Sequence, residues 1–230
     1  MKQVLAWVLI LALGLSGCGR AAEALPETAA PSTAPTTAPT TIPTTVPTTA
    51  PAAEPETVPM TEAVPEPTLA PIPLLSQQDY PVAYGLGYVP ESGCGIVSLA
   101  MVLTALLGEP VSPEDLAARY GDFHCSAGTD WALFPAAAED FGVSCTQTFD
   151  TYAVIEALEA GKPVICNHFR GLLSEDGHFI VLTGLTPEGR ITVNDPNREN
   201  RENEDLEFYF EYGFDQYDIF GFCLCFWIFE

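Results

Sequence analysis

Basic residues are almost missing from this chain: eight Lys and Arg stand against 31 Asp and Glu in 230 residues, a formal charge of -23 at pH 7. A surface so poor in cations cannot neutralise phosphates, which excludes nucleic acid as a partner and argues against binding to anionic lipid headgroups. Long apolar runs are missing as well. The one near the start, residues 4–15, falls short of the roughly 20 residues that a bilayer-spanning helix needs. Histidine is scarce, at three, and no His or Cys cluster has zinc-ligand spacing, so neither a catalytic metal nor any other cofactor is expected. The run Glu199-Asn200-Arg201-Glu202-Asn203-Glu204-Asp205 lacks the Asp-x-Asp-x-Asp-Gly spacing of a calcium loop and reads as a solvated loop.

The short apolar run follows Lys2 and suits a secretory signal. It ends in Leu15-Ser16-Gly17-Cys18, which resembles a bacterial lipobox, where processing cuts before the cysteine and attaches lipid to it. That resemblance implies an exported protein, lipid-anchored at Cys18 to the outer face of the bacterial cell membrane by acyl chains. Residues 19–71 are dominated by Pro and Thr, with Pro31, Pro35, Pro39, Pro43, Pro47 and Pro51 recurring every four residues. Such a stretch cannot bury a core and reads as a disordered stalk. Near polyproline II, its roughly 50 residues would reach on the order of 150 Å. The chain thus divides into a signal segment, 1–18, a stalk, 19–71, and a head, 72–230, long enough for one ordinary domain.

Within the head, residues 91–103 are apolar around nearly the whole helical circumference and predict a central, buried helix. Gly108 and Pro110 stop it, and Ser112-Pro113-Glu114-Asp115 reads as the N-cap and first turn of a second helix. A third is expected over 131–141 and a fourth over 151–160, each closed by a glycine. Strands are expected at 163–167, 178–185, 190–194, 206–212 and 220–229, the second and third joined as a hairpin through Pro187-Glu188-Gly189. Helices first and antiparallel strands after is an α+β order.

Three positions in this layout carry chemistry. Cys94 falls in the first turn of the central helix, where unpaired N–H groups and the helix dipole favour a thiolate. His178 opens the strand after Gly177, and Asp195 ends the next strand, so the hairpin would bring the two together. These residues resemble the C39-like peptidases, a branch of the papain-like cysteine peptidases. Gln77-Gln78-Asp79, Cys94-Gly95, Gly177-His178-Phe179 and Val193-Asn194-Asp195-Pro196 stand where that family has Gln-x-Asp, Cys-Gly, Gly-His-Phe and Val-x-Asp-Pro, and Gly161-Lys162-Pro163-Val164-Ile165 is similar to its Gly-Lys-Pro-Val strand entry. Ile96 departs from the family's frequent Pro after Cys-Gly, which touches only a pre-set φ.

The resemblance implies a papain-like fold with a central helix on an antiparallel sheet. It also implies a peptide or protein substrate, Cys94 as nucleophile, His178 as base and acid, and Asp195 as the group orienting the imidazole. Gln77 would supply an oxyanion donor, with Gln78 the competing choice. An alternative reading is a catalytically silent module of the same fold that holds a peptide at the cell surface. The loops 84–92 and 169–176 would form the cleft walls. His124 and His168 lack a Val-x-Asp partner and read as structural, and Cys125 points away from its neighbour His124 on an extended chain. Cys125, Cys145, Cys166, Cys223 and Cys225 are expected as buried free thiols, although export permits a disulfide.

Overall fold

A computed structural model describes residues 69–230. The signal segment, Cys18 and nearly all of the Pro/Thr stretch lie outside the described residues.

A 3-10 turn over Gln77–Asp79 precedes a small hairpin, β1 (Ala83–Tyr84) and β2 (Gly87–Tyr88). The short helix α1 (Val89–Ser92) then leads into α2 (Cys94–Leu107). Helix α2 is buried from Gly95 to Leu103, as its unbroken apolar circumference predicts, and ends where Gly108 adopts a left-handed φ of 71° that a side chain would resist. Ser112 Oγ accepts the Glu114 and Asp115 N–H groups to cap α3 (Pro113–Arg119). A second hairpin, β3 (His124–Cys125) and β4 (Gly128–Thr129), precedes α4 (Leu133–Phe141), β5 (Cys145–Thr148) and α5 (Thr151–Glu159). The rest comprises β6 (Val164–His168), β7 (His178–Leu185), β8 (Ile191–Asn194), α6 (Arg198–Arg201), α7 (Glu207–Tyr212), α8 (Gln216–Phe220) and β9 (Cys223–Phe229).

Five strands form one antiparallel sheet in the order β5-β9-β6-β7-β8. Both faces are covered. Ile165, Phe179, Val181, Trp227 and Phe229 face α2, α3 and α4 in one core, whereas Val164, Ile180, Leu182 and Phe226 face α5 and the C-terminal helices in another. Successive residues of a strand point to opposite faces, so a sheet buried twice needs a continuous apolar run such as Phe179-Ile180-Val181-Leu182. This is the expected α+β arrangement of a central helix on an antiparallel sheet.

Three expectations are corrected. The stretch 206–212 is helical at α7, although its aromatic residues favour strands. A strand would put Phe208 and Phe210 on one face; here Phe208 is exposed and meets Tyr212 one turn on, while Tyr209 and Phe210 pack inward on Phe214. The run from Glu199 is not a simple loop, because Asn197 Oδ1 accepts the Glu199 N–H and starts α6. Cys166 and Cys223 are joined in a disulfide across β6 and β9 rather than free.

Candidate active site

Cys94 is the first residue of α2, half-buried, among first-turn N–H groups that the helix itself cannot satisfy. Two contacts fix this helix end. A Cβ on Gly95 would stand 2.7 to 2.9 Å from Thr129 side-chain atoms, so only glycine lets β4 lie this close behind the cysteine. Ser98 Oγ donates to the Phe179 carbonyl (3.2 Å), tying α2 to β7 one residue past His178.

His178 opens β7 and is buried, with Nε2 placed 2.6 Å from Asp195 Oδ1 and the imidazole also hydrogen-bonded to Cys94. Strand β8 runs antiparallel to β7 and delivers Asp195 one residue past its end. The carboxylate is fully buried. Its Oδ1 also accepts the Asn197 N–H (2.7 Å), and its Oδ2 accepts Asn200 Nδ2 (2.9 Å).

Burial by itself pushes the Cys94 thiol up, but the hydrogen bond and charge of His178, with a bond to the Phe179 backbone, outweigh it and bring the thiol below 9.0. Burial likewise opposes a charged His178, yet the Asp195 charge and hydrogen bond, aided by Cys94, raise it to about 10. The two shifts run in opposite directions, the thiol down and the imidazole up, and both favour a thiolate beside an imidazolium.

Gln77 and Gln78 have different surroundings. Gln77 is buried, its backbone N–H donates to the Pro196 carbonyl (2.9 Å), and its Nε2 donates to the Pro90 carbonyl (2.7 Å) just ahead of Cys94, which leaves one amide hydrogen over. Gln78 turns to α6, where its Nε2 donates to Asn197 Oδ1 (2.7 Å) and its Oε1 accepts the Arg198 N–H (3.1 Å). His124 sits in the β3–β4 hairpin, 3.2 Å from Ser92 Oγ and edge-on to Tyr84. His168 is fully buried on β6, and burial keeps it below its ordinary value.

Sequence reasoning passed over Asn200 and Arg201. Asn200 bridges Asp195 to the Leu173 carbonyl, and Arg201 donates to the Asp195 carbonyl and to Ser76 Oγ. The signal available was Asn197 followed two residues later by Glu199, an N-cap with an acid in the first turn, which would have placed a helix here.

An α2 N-terminus carrying a cysteine and packed on a sheet that carries His and Asp defines a papain-like α+β fold. The chain belongs to the Peptidase_C39 like family, whose model matches residues 69–222. It is similar to the solved peptidase domain of Streptococcus ComA, a bi-functional ABC transporter of a quorum sensing pathway, at 16% identity and TM-score 0.45, over 60% of this chain and 90% of that one. A C39-like peptidase from Bacillus anthracis matches at 16% identity and TM-score 0.43, over 69% and 94%. A double glycine motif protease from an AMS/PCAT transporter, solved with its leader peptide, matches at 20% identity and TM-score 0.40, over 67% and 93%. No curated protein matches the chain in sequence.

Proposed function

We propose that this chain is a cysteine peptidase acting on peptide or isopeptide amide bonds outside the cytoplasm. The observation that carries this is one imidazole, His178, hydrogen-bonded at once to a buried carboxylate and to a cysteine at a helix N-terminus.

The Cys94 thiolate attacks the amide carbon, forming a C–S bond as the carbonyl π electrons move to oxygen. The Cys94 N–H and the spare amide hydrogen of Gln77 receive that oxyanion, and such a donor is worth roughly 3 kcal/mol in related acyl transfers. The His178 imidazolium then gives its proton to the leaving nitrogen as the C–N bond breaks, leaving a thioester and a neutral imidazole. Neutral His178 next takes a proton from water, whose oxygen attacks the thioester; the C–S bond breaks and the acid leaves. The thiolate–imidazolium pair is restored.

Export rests on the apolar segment and lipobox-like Cys18. The Cys166–Cys223 bridge supports it, because such bonds persist in oxidising compartments and are rare in the cytosol. A Cys18→Ser chain should lose incorporation of labelled fatty acid and leave the membrane fraction.

The chemistry is tested by the rate of Cys94 alkylation against pH, with the modified residue mapped, beside Cys94→Ala and His178→Ala. A rate that stays high well below pH 8 and falls when His178 is removed is the expected result. An ordinary thiol titration that ignores His178 overturns the triad and leaves a peptide-binding module.

A further inference from the structure

Three donors meet the buried Asp195 carboxylate, and its two oxygens share them unevenly. Oδ1 accepts both His178 Nε2 (2.6 Å) and the Asn197 N–H (2.7 Å), whereas Oδ2 accepts Asn200 Nδ2 (2.9 Å). Asp195 is fully buried, so solvent does not replace a donor that is taken away. Without Asn200 the carboxylate relaxes by turning until each oxygen accepts one of the two donors that remain, which draws the imidazole off its line to Cys94. With Asn200 in place, Oδ2 is held aside and His178 is confined to Oδ1.

The Asn200 amide is fully committed. Its second hydrogen goes to the Leu173 carbonyl (2.9 Å), and because both neighbours are acceptors, only the amide nitrogen can face them. Leu173 is buried in the core on the α5 side of the sheet, and the loop that carries it runs into His178. That loop is closed on itself: the Gly171 N–H donates to the Ser174 carbonyl (3.0 Å), and Ser174 Oγ accepts the Asp176 and Gly177 N–H groups. One carboxamide therefore clamps Asp195 and the approach to its partner His178.

Helix α6 holds Asn200 through contacts that do not use its side chain. Asn197 Oδ1 accepts the Glu199 N–H, Gln78 Oε1 accepts the Arg198 N–H, and Arg201 reaches the Asp195 carbonyl and Ser76 Oγ. A substitution at Asn200 thus leaves α6 anchored and removes the clamp. The titratable and charged groups around Asp195 are Cys94 from α2, His168 and His178 from the sheet, and Arg201 from α6. Of these, His178 bonds to Oδ1 and Arg201 to the backbone carbonyl, while Oδ2 is left to Asn200.

We propose that Asn200 is a positioning residue for catalysis: by holding Asp195 Oδ2 and the Leu173 carbonyl together, it keeps Asp195 Oδ1 on His178 and His178 on Cys94. This rests on the peptidase reading, and Cys94 alkylation tests it without needing turnover. The alkylation rate is followed against pH in the full chain carrying Asn200→Leu, which keeps the shape without the donors, and Asn200→Ser, which is small enough to admit water. Urea unfolding checks that each is folded. The acid limb of the Asn200→Leu profile should move up by about one pH unit, the size of one hydrogen bond to a charged group, with a smaller upward move in Asn200→Ser. Hydrogen exchange at the Asp176 and Gly177 N–H groups should quicken in both. Faster exchange with an unmoved limb makes Asn200 a structural tie of the loop and overturns the proposal. A limb that moves down also overturns it, since Asn200 would then only weaken the pull of Asp195 on His178. Should Asn200→Leu fail to fold, Asn200→Ser decides alone, and its limb must still move up. An ordinary thiol titration in the wild-type protein refutes the peptidase reading and the proposal with it, and is told apart because it appears before any substitution is made.

Discussion

Asp195→Asn keeps the shape of the side chain and changes only how many donors it can accept. Asp195 Oδ1 faces two donors, His178 Nε2 and the Asn197 N–H, and Oδ2 faces a third, Asn200 Nδ2. The amide has a single acceptor oxygen. With its NH2 in the Oδ1 place it meets His178 and Asn197; with the NH2 in the Oδ2 place it meets Asn200. In either rotamer a fully buried donor faces a donor, and the charge that holds His178 ionised is gone. Breaking a buried pair in this way costs about 3–5 kcal/mol of stability.

The pH dependence is the sharper readout. His178 is raised from 6.5 to about 10 in the fold, so its ionisation contributes stability that is fully present below about 6.5 and is lost as pH rises through about 10. Cys94 shifts the other way: its contribution is present above 9.0 and lost as pH falls. Urea unfolding in a Cys94→Ala background removes that opposing titration. Unfolding free energy should decline as pH rises above 6.5 in Cys94→Ala, where Asp195 alone still raises His178, and lose that decline in Cys94→Ala with Asp195→Asn. In the Cys94-containing protein the same change should cost on the order of 10³ to 10⁴ in turnover, by analogy with serine triads. Matching pH profiles in the two backgrounds would refute the assigned coupling between Asp195 and His178.

Gln77→Ala should lower kcat by about 100-fold while leaving Cys94 alkylation nearly unchanged, since only the oxyanion donor is removed. Gln78→Ala should instead lower stability by about 1 kcal/mol in urea unfolding, because it frees the α6 N-cap, with a smaller loss of kcat. Gly95→Ala should destabilise by about 1–3 kcal/mol, since the added methyl meets Thr129 and must displace the β3–β4 hairpin. The Cys166–Cys223 bridge spans 57 residues of sequence, so Cys166→Ala with Cys223→Ala should lower stability by up to about 4 kcal/mol while Cys94 alkylation keeps its pH profile.

Local patterns in the sequence predict the elements that stand on local chemistry. Helix α2 follows from an apolar run closed by Gly108, α3 from the Ser112-Pro113 cap, and the β7–β8 hairpin from two apolar runs about a glycine turn. Contacts between distant segments carry no such pattern. Helix α7 has strand-forming aromatics and is helical because Tyr209 and Phe210 find a core on one side, which composition cannot express. Strand β5, with polar Thr146 and Gln147 exposed, pairs only through β9 and has no alternation to announce it. The Cys166–Cys223 bridge depends on β6 and β9 being neighbours, although 57 residues separate them in sequence.

The candidate site has the same division. Cys94 and His178 each begin an element and Asp195 directly follows one, so short motifs mark them, but what holds them in register is a long-range polar seam. The segment 76–79 and the segment 195–201 are joined by Gln77 N–H to Pro196, by Gln78 to Asn197 and Arg198, by Asp79 to Arg198, and by Arg201 to Ser76. Gln77 then reaches Pro90, and α1 leads directly into Cys94. The proposed oxyanion donor and the proposed orienting carboxylate are therefore positioned by one shared network rather than by separate supports. A run of charged and amide residues such as 197–205 reads as solvent-facing when each residue is taken alone. Its role becomes apparent only when the acceptors it must satisfy, the Asp195 carboxylate and carbonyl above all, are counted against the donors within reach.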